Sequence, residues 1–190
     1  MIAASWLHLG GTAWEAEGLG AEEQARADGF GSLQRRRQYL AGHHLLRQVA
    51  AHLLDLEPGQ VALSAEGLPR CVNQSAPLWL SLSHSGTVVV AAGCSLGPVG
   101  IDVEQRDQRR DWASLAEGLG WTAADAASPD GFLLRWTLKE ALYKAGLDRA
   151  EAAWQGLSGE AVLTLVGPRG SELQWLSPEH PSLKRFAVTI

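Results

Sequence analysis

The chain has 190 residues, 46% of them hydrophobic and 19% charged, with 16 Lys and Arg against 21 Asp and Glu. That length can bury a substantial core, in one domain or in two small closely packed halves. The formal charge of −5 argues against a broad nucleic-acid-binding face. No apolar run reaches about 20 residues, so no membrane span is expected. The opening MIAASWLHLGGTAWEAEG lacks a basic region and a long apolar stretch, so no signal peptide is expected. Cys71 and Cys94 stand singly, which argues against zinc or a disulfide and points to a reducing cytoplasm.

In chain order, the first strong element is LQRRRQYLAGHHLLRQVAAHLL, 33–54. Its apolar residues recur at three- and four-residue intervals, which predicts an amphipathic helix with a basic opening turn, closed by Glu57-Pro58-Gly59. QVALSA reads as a short strand. PLWLSLSHSGTVVVAAG reads as a hairpin whose turn is Ser83-His84-Ser85-Gly86. Val99 to Glu104 alternates apolar and polar, the period of a half-buried strand. After a loose, Ala-rich stretch, Ser128-Pro129 supplies a cap and a first-turn proline for a helix ending at Gly146. Short strands follow near Ala161–Val166, Glu172–Leu176 and Arg185–Ile190. A long helix followed by short strands thus occurs twice. The expected fold is α+β, a pseudo-twofold pair of similar halves, each a long helix on a small, mainly antiparallel sheet. The halves are drawn at 1–97 and 98–190.

The chemistry concentrates in GPVGIDVEQ and RWTLKEALYKAG. On a strand, Asp102 and Glu104 share a face while Ile101 and Val103 point into the core. On the helix, Trp136, Glu140 and Lys144 are successive i, i+4 neighbours along one stripe. Three carboxylate ligands suit Mg²⁺, which leaves positions for water and phosphate, and Lys144 lies where it could neutralise phosphate charge. Taken separately, Asp-x-Glu on a strand is also an ordinary solvated face, and Glu140–Lys144 an ordinary surface ion pair.

Together the two stretches resemble the signatures of the 4′-phosphopantetheinyl transferases, (V/I)G(I/V)D-x-E and (W/F)-(S/T/C)-x-K-E-(A/S)-x-x-K. Gly100, Asp102, Glu104, Trp136, Thr137, Lys139, Glu140, Ala141 and Lys144 fall into place. The SHS triplet and the arginine-rich helix resemble the surfactin-synthetase-type, pseudo-dimeric subgroup. The resemblance implies transfer of 4′-phosphopantetheine from coenzyme A to a serine of an apo acyl or peptidyl carrier protein, releasing adenosine 3′,5′-bisphosphate. It implies Mg²⁺ on Asp102, Glu104 and Glu140, with Glu140 and Lys144 acting in the chemistry. It also implies coenzyme A contacts from Ser83, His84 and Ser85 of the hairpin, from Lys144 of the second signature, and from Arg37 and Arg47 on the basic helix. The partners would be coenzyme A and the carrier, with no nucleic acid or membrane, and the chain would work as a cytoplasmic monomer.

One departure is clear. Many members carry a GKP before the hairpin, whereas Leu68 stands in the lysine's place here, with Arg70 two residues on. That keeps a non-catalytic coenzyme A- or carrier-binding module open as an alternative. A Mg²⁺-dependent nuclease is a weaker one, since its Glu-x-Lys usually lies on a strand beside a basic surface. A serine hydrolase built on Ser83 or Ser85, His84 and Asp102 is weaker again, because adjacent strand residues diverge and no G-x-S-x-G elbow exists.

Overall fold

A computed structural model of the chain describes residues 1–10, 19–73, 77–107, 111–122, 128–178 and 180–186. Two four-stranded sheets pack face to face. The first contains β1 (Ile2–His8), β2 (Trp79–Ser85), β3 (Val88–Cys94) and β7 (Leu173–Trp175), in the order β2-β3-β1-β7. The second contains β4 (Gly100–Gln105), β5 (Ala152–Leu157), β6 (Ala161–Gly167) and β8 (Lys184–Phe186), in the order β4-β6-β5-β8. All pairings are antiparallel except β1 with β7. Alternate residues of each sheet, among them Ile2, Val90, Ile101, Val103, Leu163 and Leu165, form the shared core.

The outer faces are covered by helices. Helix α2 (Leu33–Leu54) lays Leu45, Leu46 and Val49 on the far side of the first sheet against Val89 and Ala91. Helix α4 (Pro129–Ala145) covers the far side of the second sheet through Phe132, Leu133 and Ala141. Two short helices, α1 (Ala21–Asp28) and α3 (Trp112–Gly118), flank them. The fold is therefore α+β, four layers deep. Although Leu173–Trp175 belongs to the second half of the chain, it joins the first sheet beside β1, so the two halves interlock.

The limits of α4 are those expected from its ends. Ser128 accepts from the Gly131 N–H, Pro129 opens the first turn, and Gly146 closes the helix at φ 67° in the left-handed region. Elsewhere the structure corrects the expectations. Helix α2 has the expected bounds, 33–54, but it is closed by left-handed Asp55 and not by Glu57-Pro58-Gly59, where Pro58–Gln60 makes a separate 3-10 turn. QVALSA is not a strand but a loop with one bridge, Leu63 to Cys71. The hairpin turn is Gly86-Thr87, so Ser83, His84 and Ser85 lie on β2 itself. Of the strand expected at Arg185–Ile190, residues 187–190 lie outside the described residues. Four elements were not expected: β1, β5, α1 and α3. Among the described residues no helix is long and apolar enough to cross a membrane.

Candidate active site

The site lies where β2 and β4, the edge strands of the two sheets, run side by side. They are joined by serine side chains. Ser81, Ser83 and Ser85, alternate residues on one face of β2, accept from the N–H groups of Ile101, Val103 and Gln105 at 3.0, 3.4 and 3.1 Å. Two of the same hydroxyls then donate to the acids of β4, Ser83 to Asp102 Oδ1 at 2.8 Å and Ser85 to Glu104 Oε2 at 2.7 Å. Each of these two serines thus satisfies an edge N–H that would otherwise lack a partner and fixes a carboxylate. Ser83 and Ser85, to which the resemblance gives a phosphate-holding role, thus have their hydroxyls on the acidic pair.

His84 sits between these serines on β2 and borders two spaces, the cleft described below and a recess toward α2. It lies with Arg35 of α2 in that recess, of about 470 Å³, which also takes in Gln38 and Gly86. Burial first, and then the nearby Arg35 guanidinium, pull the His84 pKa below its ordinary value. Gln34 and Gln38 of α2 both donate to the Gly86 carbonyl, at 3.1 and 2.8 Å. Gly86 itself sits at φ 55°, in the left-handed region that favours glycine.

Helix α4 closes the other wall. Gly100 of β4 lets the helix backbone approach so closely that a Cβ there would lie 1.8 Å from the Ala141 carbonyl oxygen. A cleft of about 350 Å³ remains between strands and helix, lined by Ser83, His84, Asp102, Glu104 and, from α4, Trp136, Glu140 and Lys144. Lys144 turns inward, donating to Asp102 Oδ1 at 2.7 Å and to the Ile101 carbonyl at 3.3 Å. The surface pairing of Glu140 with Lys144 does not form. Glu140 has no hydrogen bond or ion pair among the described residues and faces the cleft alone.

Asp102 is 4% exposed. Burial raises its pKa and outweighs Lys144 and Ser83, which lower it, leaving it at about 6. Its Oδ2 is buried with no hydrogen-bond partner. An orphaned carboxylate oxygen beside Glu104 and Glu140 offers hard oxygen donors of the kind Mg²⁺ takes, so the residues present fit that ion. Among the described residues no group of three His, Cys, Asp or Glu side chains is yet placed to hold a metal, so Asp102, Glu104 and Glu140 share the cleft without converging.

The two arginines expected to contact the nucleotide part ways. Arg37 is exposed on α2 and lines neither cavity. Arg47 is 3% exposed and bonded to Glu23 of α1, whose other oxygen takes His43 Nδ1 at 2.5 Å. This buried cluster ties α1 to α2, so Arg47 holds the fold and does not reach the cleft. Arg35 is the basic residue of this helix that the structure brings beside His84. Leu68 and Arg70 are exposed and line neither cavity.

The chain is similar to known proteins of one family. Residues 98–188 match the 4′-phosphopantetheinyl transferase superfamily. The 4′-phosphopantetheinyl transferase AcpT of Salmonella typhimurium is 36% identical over 140 residues, covering 68% of this chain and 67% of that protein. The 4′-phosphopantetheinyl transferase HetI of Nostoc sp. is 33% identical over 67% of this chain and 59% of its own length. A phosphopantetheinyl transferase of Thraustochytrium sp. is 29% identical over 86% of this chain and 68% of its own.

Proposed function

We infer the reaction from the family, since this chain belongs to the 4′-phosphopantetheinyl transferase superfamily: it transfers 4′-phosphopantetheine from coenzyme A to a serine of an apo acyl or peptidyl carrier protein. The observation that carries this reading is the cleft in which Asp102, Glu104, Glu140 and Lys144, from both signatures, face one another.

In this mechanism the carrier's serine oxygen bonds to the β-phosphorus of coenzyme A, and the bond from that phosphorus to the bridging pyrophosphate oxygen breaks. Adenosine 3′,5′-bisphosphate leaves with the electron pair. Charge neutralisation and in-line positioning supply most of the acceleration for such a transfer. Glu140, unpaired at the cleft wall, takes the serine proton, directly or through a water. Lys144, already held inside the cleft by Asp102, stabilises charge on the departing bisphosphate. Asp102, Glu104 and an inward-turned Glu140 would hold Mg²⁺, which supplies electrophilic neutralisation of pyrophosphate oxygens when bound. Ser83 and Ser85 keep the two β4 carboxylates aimed at it. His84 and Arg35 serve a coenzyme A phosphate.

The interlocked arrangement is compatible with the surfactin-synthetase-type subgroup and with a pseudo-twofold relation in which α2 on the first sheet corresponds to α4 on the second. In that relation the first half, 1–97, serves coenzyme A and the second, 98–190, the metal and the chemistry. A single chain then carries a whole site, acting as a cytoplasmic monomer without a nucleic-acid or membrane partner. The test is mass spectrometry of several apo carriers after incubation with the protein, Mg²⁺ and coenzyme A. A gain of one phosphopantetheine at the carrier serine supports the reading. Binding of coenzyme A or carrier with no mass gain would favour the non-catalytic module instead.

A further inference from the structure

Two polar residues interrupt otherwise apolar strands under α4: Thr164 in AVLTLVG and Gln155 in AAWQGL. They pair directly across β5 and β6, and Thr164 pairs on its other side with Asp102 of β4. The three therefore form one row across the sheet, on the face that α4 covers. Thr164 is fully buried, as is Thr137 of α4 above it.

Their hydrogen bonds close into a ring. Gln155 Nε2 donates to the Leu134 carbonyl and to Thr164 Oγ1, both at 2.8 Å. The two threonine hydroxyls meet at 2.7 Å, and Thr137 Oγ1 lies 3.3 Å from the Leu134 carbonyl. One proton arrangement satisfies every member: Gln155 donates to Thr164, Thr164 to Thr137, and Thr137 to Leu134. An apolar pair would fill the same space. A fully satisfied buried ring adds directionality, because its geometry exists in only one register.

We propose that Thr164 and Gln155 are positioning residues that fix the axial register of α4 over Asp102, and so set where Glu140 and Lys144 enter the cleft. The ring and Asp102 share one row, so the distance between them is set by the sheet. Along the helix, Thr137 precedes Glu140 by about 4.5 Å and Lys144 by about 10 Å at 1.5 Å per residue. The close contact of Gly100 with Ala141 sets how near the helix comes but presents smooth backbone, which does little to oppose sliding. A displacement of about 1 Å in a site that works by positioning can cost on the order of 10²-fold in rate. For its kinetic consequence, this inference rests on the transfer reaction proposed above.

The test uses the whole protein carrying Thr164→Val, which keeps the volume and removes the hydroxyl, and Thr164→Ser, which keeps the hydroxyl. Gln155→Met, at a half-buried position, is the second variant should Thr164→Val not fold. Two quantities are measured: kcat and KM for both substrates, and hydrogen exchange at the α4 amides from Trp136 to Lys144. Thr164→Val and Gln155→Met should lower kcat by about tenfold or more, leave both KM values within about twofold, and loosen α4. Thr164→Ser should restore both quantities. Parent-like kcat and unchanged α4 exchange in Thr164→Val would overturn the proposal, as would equal losses in the Val and Ser variants, which would make packing the cause. If the parent protein modifies no carrier, the functional reading fails, and the exchange measurement still decides whether the ring holds the register.

Discussion

Lys144 Nζ donates to Asp102 Oδ1 at 2.7 Å, joining the two signatures across the cleft, from α4 to β4. The side chains are 26% and 6% exposed, so this is a mostly buried pair and not a surface one. Breaking such a pair strands a charge in a desolvated setting, which is far more costly than losing an exposed ion pair. It also leaves Glu140, one turn before Lys144, free to face substrate.

Asp102→Asn keeps the shape of the side chain and removes its charge. Transfer should fall by about 10²-fold or more, while circular dichroism retains the parent's secondary structure. The carboxylate is held at a burial cost that already lifts its pKa to about 6, so the neutral amide relieves one penalty while depriving Lys144 of its partner. Lys144 retains some solvent access to compensate. Turnover near the parent rate would place the reacting acids elsewhere.

Gly100→Ala is expected to damage the protein more than its single methyl suggests. The added carbon would overlap the Ala141 carbonyl oxygen, and backbone on both sides leaves no flexible end to move. Denaturant unfolding should show a loss of about 2 kcal/mol or more, together with reduced transfer from a lifted α4. A fully stable and active Gly100→Ala would mean that the helix does not need this close approach.

Much of the site was legible in the sequence because it follows local rules. Ser128, Pro129 and Gly146 bound α4, and strict alternation put Asp102 and Glu104 on one face. The strand β1 was not legible, since residues Ile2 to Ser5 are all buried and leave no polar alternation to read. The serines of β2 suggested a turn because hydroxyl residues favour turns. Their actual partners are N–H groups about twenty residues away. The i, i+4 spacing likewise pointed Lys144 at Glu140, while the tertiary partner Asp102 won. Arg47 was read as a coenzyme A contact because its counter-charge, Glu23, comes from a short helix that the sequence did not reveal.

The Glu23 cluster makes a pH prediction. Burial alone would raise the Glu23 pKa, but hydrogen bonds from His43, the Gly20 N–H and Arg47 outweigh it and lower it from 4.5 to about 2. A carboxylate with a lowered folded-state pKa contributes its full stabilisation above pH 4.5, and that contribution is lost as the pH falls through 4.5 toward about 2. The amount is on the order of 3 kcal/mol. In denaturant melts between pH 7 and pH 2.5, Glu23→Gln should be less stable than the parent at neutral pH, and the gap should close as the pH falls. A gap independent of pH would show that the charge of Glu23 does not hold α1 to α2.

The most direct test of the central claim is the initial rate of carrier modification against Mg²⁺ concentration, at saturating carrier and coenzyme A, for the parent, Glu140→Gln and Lys144→Ala. Glu140→Gln withdraws a metal charge and the base, so kcat should drop by about 10²-fold or more and the Mg²⁺ midpoint should move upward. Lys144→Ala should lose a comparable factor through unneutralised charge on the departing bisphosphate. Its Mg²⁺ midpoint should stay in place or fall, since Asp102 loses a competing cation. If both variants turn over like the parent with the same midpoint, Glu140 and Lys144 are bystanders and the cleft between β4 and α4 does not carry out the transfer.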